Sequence, residues 1–131
     1  MSQYYFSNFY CIVIRPILEY CAPVCHYSIP SFLSADLEMV QMRALKIILP
    51  TKSYNDILEY FNLQTPFQRR DEMCTKLFTN IISNPSHKLH KLLPPKRESV
   101  YQLRNARMFE WFETNTDRFR STFIPESINL S

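Results

Sequence analysis

The sequence predicts a mainly α-helical fold: a small irregular helical bundle over residues 1–84, and a basic, less regular C-terminal arm over 85–131 packed on it as one domain. Three observations predict it. Glycine is absent while proline occurs nine times, so the tight turns of a hairpin-rich sheet lack their preferred residue and the breaks between helices fall to proline. Apolar residues recur at three- and four-residue spacing over 33–48 and again over 74–82, the period of a helix with one buried face. A chain of 131 residues with 46% hydrophobic and 15% aromatic content has the material for a core without a metal or a disulfide.

The elements follow in order. Residues 3–14 read as a helix carrying Tyr, Phe and Ile almost all round, which requires cover on more than one side. Pro16 breaks or kinks it, or opens a short new turn as its first residue. The second helix is capped by Ser34, with Asp36 and Glu38 in its positive first turn. Its apolar face is Leu33, Leu37, Val40, Ala44, Ile47 and Ile48, with Gln41, Arg43 and Lys46 on the other side, and Pro50 ends it. Ser53 caps a third, short helix bearing Ile57, Leu58 and Phe61. Asn62 suits a left-handed cap, with Leu63 tucking back. Thr65-Pro66-Phe67-Gln68 is a capping box with proline at the first helical position. The fourth helix packs Cys74, Leu77, Phe78, Ile81 and Ile82, and Asn84-Pro85 stops it. Beyond it, 87–93 form one basic helical turn, Pro94-Pro95 is a stiff break, 99–104 and 118–123 are short extended segments, and Phe109 to Phe112 form an aromatic cluster in a helical turn.

Composition also excludes function classes. Without glycine there is no phosphate-binding loop, dinucleotide turn or nucleophile elbow. The apolar run Ile12–Ile14 ends at Arg15, far short of a membrane span, and the N-terminus lacks the basic start and apolar core of a signal peptide. An intracellular chain with reduced cysteines is expected.

Charge is unevenly placed. Residues 1–84 hold seven basic and seven acidic side chains, whereas 85–131 hold eight and five. Lys88, Lys91, Lys96, Arg97, Arg104 and Arg107 face Glu98 alone within 85–107, with His87, His90 and Tyr101 interleaved. Such a patch suits phosphate contacts, and Tyr101 suits base stacking. The alternative is an ordinary solvated loop. Arg118 and Arg120 flank Phe119, which with Phe123 is expected to be a buried anchor.

Two further constellations compete for attention. Cys21, Cys25, His87 and His90 imitate a Cys2His2 zinc set, but Pro23 sits between the cysteines and the usual knuckle glycine is missing. Asp71-Glu72, the adjacent acidic pair, stands beside Arg69-Arg70 and reads as a solvated helix face.

The segments "IRPILEYCAPVC", "LEMVQMRALKIIL", "NLQTPFQRRDEMCTKLF", "HKLHKLLPP", "YQLRN" and "DRFRSTFIPESI" occur in that order. Together they resemble the region C-terminal to the catalytic core in reverse transcriptases of jockey-like non-LTR retrotransposons, over nearly the whole chain. Cys25 stands where that family carries tryptophan, and its closing "WNxLP" is missing. By this resemblance Cys21 and Cys25 are core packing sites, where free cysteine acts as a small hydrophobe. The resemblance implies the thumb-side and C-terminal tail of an RNA-directed DNA polymerase without its palm. It therefore implies no catalytic residue, no metal ligand and no cofactor here, with nucleic acid as partner through Lys88, Lys91, Lys96, Arg97, Tyr101, Arg104 and Arg107. It also implies that one side of helix 3–14 lost its cover with the palm, so that the chain self-associates through residues 4–14. The rival readings are a helical protein-interaction remnant and a small Cys/His zinc-binding module.

Overall fold

A computed structural model of the chain describes residues 2–98, 107–110 and 113–130. It is mainly α-helical, and among the described residues no strand forms; one isolated antiparallel bridge joins Lys96 and Phe109. The helices are α1 (Gln3–Phe9), α2 (Arg15–Leu18), α3 (Ala22–Cys25), α4 (Ser31–Ile48), α5 (Tyr54–Phe61), α6 (Pro66–Ser83), α7 (Asp117–Arg120) and α8 (Phe123–Leu130). The chain divides into two compact units, Met1–Ala22 with Ile29–Glu72, and Pro23–Ser28 with Met73–Ser131. The division falls inside α6 and not at Pro85.

In the first unit, α1 runs through a π-helical turn, Tyr10–Ile14, into α2. The Arg15 amide donates to the Tyr10 carbonyl. This wide turn sits where a regular helix would drive the Pro16 ring into the carbonyl four residues back, so the helical run continues and Pro16 stands in the first turn of α2. Tyr10 is buried, and Cys11 and Ile14 pack beside it against Leu45, Leu49 and Ile57. Fully burying a side chain such as Leu45 or Ile57 contributes on the order of 1.5–3 kcal/mol.

The buried stripe of α4 differs from the expected one. Gln41 and Leu45 are buried, whereas Leu33, Val40 and Ile47 are exposed. The helix has turned by about one residue, because Gln41 is wanted inside. The Tyr10 hydroxyl donates to Gln41 Oε1. Gln41 Nε2 donates to the Tyr54 hydroxyl oxygen at 3.0 Å and to the Gln64 carbonyl at 3.1 Å. Tyr54 donates to Glu38 Oε2 at 3.3 Å, and the Phe67 amide donates to Glu38 Oε1 at 3.1 Å. One polar chain thus ties the π-turn, α4, α5 and the start of α6 together. Ser34 is not a cap; Pro30 precedes the helix, and Ser34 lies in its first turn, where its Oγ accepts from Arg70 Nη2 at 3.0 Å.

Burial holds the Tyr10 hydroxyl well above the ordinary tyrosine range and pushes Tyr54 up to about 12, although the Gln41 hydrogen bond pulls Tyr54 the other way. In the unfolded chain both ionise near 10. The native state therefore keeps protons that the unfolded state has released, and stability falls as pH rises above about 10. The melting temperature should drop steadily between about pH 10 and 12, and Tyr10→Phe should flatten that drop. An unchanged melting temperature across this window would contradict the burial of both hydroxyls.

The C-terminal capping of α5 and the capping box of α6 are as expected, whereas Ser53 stands at the N-cap of α5 without a side-chain hydrogen bond. Asn62 adopts φ 51°, and the Leu63 amide donates to the Leu58 carbonyl at 2.8 Å. Gln68 N donates to Thr65 Oγ1 at 3.2 Å, while Thr65 N donates to Gln68 Oε1 at 3.3 Å. In a chain without glycine, the other left-handed position among the described residues falls on Cys21, at φ 53°. Cys21 is exposed and does not fill a core site as expected. Asparagine tolerates this region better than cysteine, so Cys21→Asn should raise stability by up to about 1 kcal/mol in urea titration; a loss of stability would show that the cysteine side chain is needed.

Nor is Arg69–Glu72 a solvated face. Arg70 is 1% exposed, with Nε and Nη1 buried and lacking hydrogen-bond partners. Arg69 meets Glu19 through two bonds, 3.1 and 3.4 Å, and Glu19 also meets Arg15 at 3.2 Å. The charged tetrad reads as surface by composition, but Arg69 meets Glu19 beyond the end of α2 and Arg70 reaches Ser34 of α4.

In the second unit, Cys74, Phe78 and Ile81 of α6 are buried as expected. Phe78 packs with Phe109 and Ile128, beside Ile82, Leu93, Phe123 and Ile124. Residues 118–123 are not extended. They belong to α7, capped by Thr116 Oγ1 accepting from Phe119 N at 3.2 Å, and to the start of α8. Phe119 is exposed rather than an anchor, and Phe109 lies in the bridge, not in a helical turn.

Candidate nucleic-acid interface

The basic arm begins in a 3-10 turn, Lys88–Leu92. Side chains three apart eclipse in this helix type, so Lys88 and Lys91 share one face and Leu89 and Leu92 another. Both lysines are exposed. The turn is fixed by its histidines. His87 Nδ1 accepts from the Leu89 amide at 3.2 Å, and His90 Nδ1 lies 2.8 Å from the Ile81 carbonyl near the end of α6. A carbonyl only accepts, so His90 carries its proton on Nδ1 and serves as a C-terminal tie for α6.

Pro94-Pro95 then directs the chain to the bridge. Lys96 pairs with Phe109, and the Arg97 amide donates to the Met108 carbonyl at 3.1 Å. Phe109 is buried in the Phe78 cluster and pins this pairing. The bridge therefore brings Lys96, Arg97 and Arg107 to one place, all three exposed. Beside it lies a cleft of about 320 Å³ lined by His90, Pro94, Lys96 and Phe109 among others. Tyr101 and Arg104 lie outside the described residues, as does the expected extended segment 99–104. The sequence pattern groups Phe109 with the aromatic cluster 109–112, and nothing local in Arg107-Met108-Phe109-Glu110 marks it as the anchor of this pairing.

The zinc constellation gains nothing from the fold. Among the described residues no group of three or more His, Cys, Asp or Glu side chains is placed to hold a metal ion. The chemistry open to the arm is electrostatic: exposed ammonium and guanidinium groups on a backbone held by two histidines and a buried phenylalanine. Among the described residues no helix is long and apolar enough to cross a membrane. No family model, no curated protein and no solved structure matches this chain.

Proposed function

We propose that the chain is a non-catalytic C-terminal segment of a retrotransposon RNA-directed DNA polymerase, holding single-stranded nucleic acid weakly through its basic arm and associating with itself through residues 4–14. The order of the six sequence segments supports the family reading. The exposure of Lys88, Lys91, Lys96, Arg97 and Arg107 within one short stretch carries the nucleic-acid reading, because exposed cations on a fixed backbone contact phosphates without reference to base sequence. Polymerase chemistry is not assigned to the chain: Glu72 of the adjacent acidic pair is engaged by Arg69 at 3.5 Å, and two-metal transfer needs carboxylates turned to a shared metal site.

A helical protein-interaction module with no nucleic-acid role is the second reading, favoured by the exposed apolar side chains of α1 and the π-turn. Anisotropy of a labelled oligouridine separates the two. Replacing Lys88, Lys91, Arg97 and Arg104 together by alanine should weaken binding at low salt by at least about tenfold. Equal binding by this variant and the parent chain favours the second reading.

A further inference from the structure

The cleft beside the Lys96–Phe109 bridge, about 320 Å³, lies wholly within the second unit. Leu93, Pro94, Pro95 and Phe109 give it apolar walls, and its titratable lining residues are His90 and Lys96; among the described residues no carboxylate lines it. The His90 ring is oriented by its other end. Nδ1 lies 2.8 Å from the Ile81 carbonyl, which only accepts, so the neutral ring carries its proton on Nδ1 and a lone pair on Nε2. No bond within the described residues engages Nε2, and His90 is only half-buried. A second proton turns Nε2 from acceptor into donor, adds a positive charge beside Lys96 and leaves the bond to Ile81 in place.

We propose that this cleft is a phosphate site, in which doubly protonated His90 and Lys96 hold one phosphate of the bound strand, with the apolar wall against the adjoining sugar. The inference rests on the nucleic-acid reading of the arm and adds a seat that acts only when His90 is charged. A phosphodiester carries no proton to donate, so the lone pair of the neutral ring opposes it, whereas the imidazolium gives it a charge-assisted hydrogen bond. Both cations stand on fixed backbone, His90 in the 3-10 turn and Lys96 in the bridge pinned by buried Phe109, so little ordering is needed on binding. Apolar walls with a few polar groups are the usual form of a small-ligand site, and the volume lies at the lower end of such sites. The surroundings favour an anion. Lys88 and Lys91 share the turn with His90, Arg97 and Arg107 flank the bridge, and residues 77–84 of α6 carry no charged side chain. The acidic residues beside the bridge, Glu98 and Glu110, are exposed. His87 differs from His90: its Nδ1 accepts from the Leu89 amide, so a second proton there removes the cap of the turn and builds no site.

The test is the pH dependence of oligouridine binding by the full chain, read by anisotropy at low salt, with the histidine ring protons followed by NMR. Affinity should rise about tenfold from about pH 7.5 to 5.5, the order of one charge-assisted hydrogen bond. The salt slope should steepen by about 0.7, one further phosphate contact. His90→Asn keeps a donor for the Ile81 carbonyl but takes no second proton; it should bind like the parent at the higher pH and gain less than about twofold at the lower. His87→Asn keeps an acceptor for the Leu89 amide and should retain the parent's gain. By reciprocity, oligouridine should hold the second proton on His90 to higher pH, by about one pH unit for a tenfold effect. A purely structural tie would not move that titration. Far-UV circular dichroism confirms folding, and Lys96→Gln, which should lose most of the gain, repeats the test where His90→Asn unfolds. A parent affinity that does not change with pH, an equal gain in His90→Asn, or a His90 titration unmoved by the strand overturns the phosphate seat and leaves binding by the basic arm standing. A parent chain that binds no oligouridine at either pH overturns both.

Discussion

Gln41→Ala should be the most damaging single substitution in the first unit, costing about 3–5 kcal/mol in urea unfolding followed by far-UV circular dichroism. Gln41 is 1% exposed and joins three partners at once: the Tyr10 hydroxyl, the Tyr54 hydroxyl and the Gln64 carbonyl. Truncation leaves Tyr10, which is fully buried, donating to nothing, and each buried polar group without a partner costs about 1–3 kcal/mol. A cavity adds to that cost. Gln41→Leu should do little better, because it restores volume but not the hydrogen bonds. Tyr54 keeps Glu38 as acceptor, so its share of the loss is the smaller one. A cost below about 1 kcal/mol for Gln41→Ala would show that the polar chain through α4 does not hold the unit together.

The same residue shows where the sequence is legible and where it is not. Capping chemistry is local, and it was readable: Thr65 and Gln68 sit three apart and bond reciprocally, and Asn62 turns left-handed at the end of α5. The stripe of α6 was readable because Cys74, Phe78 and Ile81 are apolar and buried. The buried stripe of α4 differs from its apolar stripe because hydrophobicity alone does not mark the inside there: Gln41 is buried beside Leu45. Gln41 and Arg70 reach the interior through partners that lie 13 to 36 residues away, and no local period contains that information. The error has a counterpart on the surface, where Ile47 and Val40 are exposed although the pattern placed them inside. At the candidate interface, composition located the cations, but the pairing of Lys96 with Phe109 depends on a long-range contact. His87 and His90 invited a metal reading because residue type is visible in sequence and a backbone partner is not.

The effect of salt on nucleic-acid binding should be comparable in size to the Gln41→Ala loss. Single-stranded binding loses affinity with a slope of about −0.7 per phosphate contact on a double logarithmic scale. Six cations, Lys88, Lys91, Lys96, Arg97, Arg104 and Arg107, give a slope near −4, so affinity should fall by roughly two orders of magnitude or more between about 50 and 200 mM salt. Removing four of them should bring the slope to about −1.4 and leave little specific salt response. Base composition should matter little, since phosphate contacts carry no sequence information. Stacking by Tyr101 would add a salt-independent contribution, seen as residual affinity at high salt that Tyr101→Ala removes.

Binding of nucleic acid by the charges of the basic arm, as proposed, should be visible as a salt dependence that the arm's cations set. The most direct measurement is the anisotropy-derived Kd of a labelled oligouridine for the intact chain and for the Lys88, Lys91, Arg97, Arg104 alanine variant, each across about 50–200 mM potassium chloride. The predicted result is a steep slope near −4 for the intact chain and a shallow one near −1.4 for the variant. Parallel slopes for the two proteins, or no binding by the intact chain at the lowest salt, would contradict it.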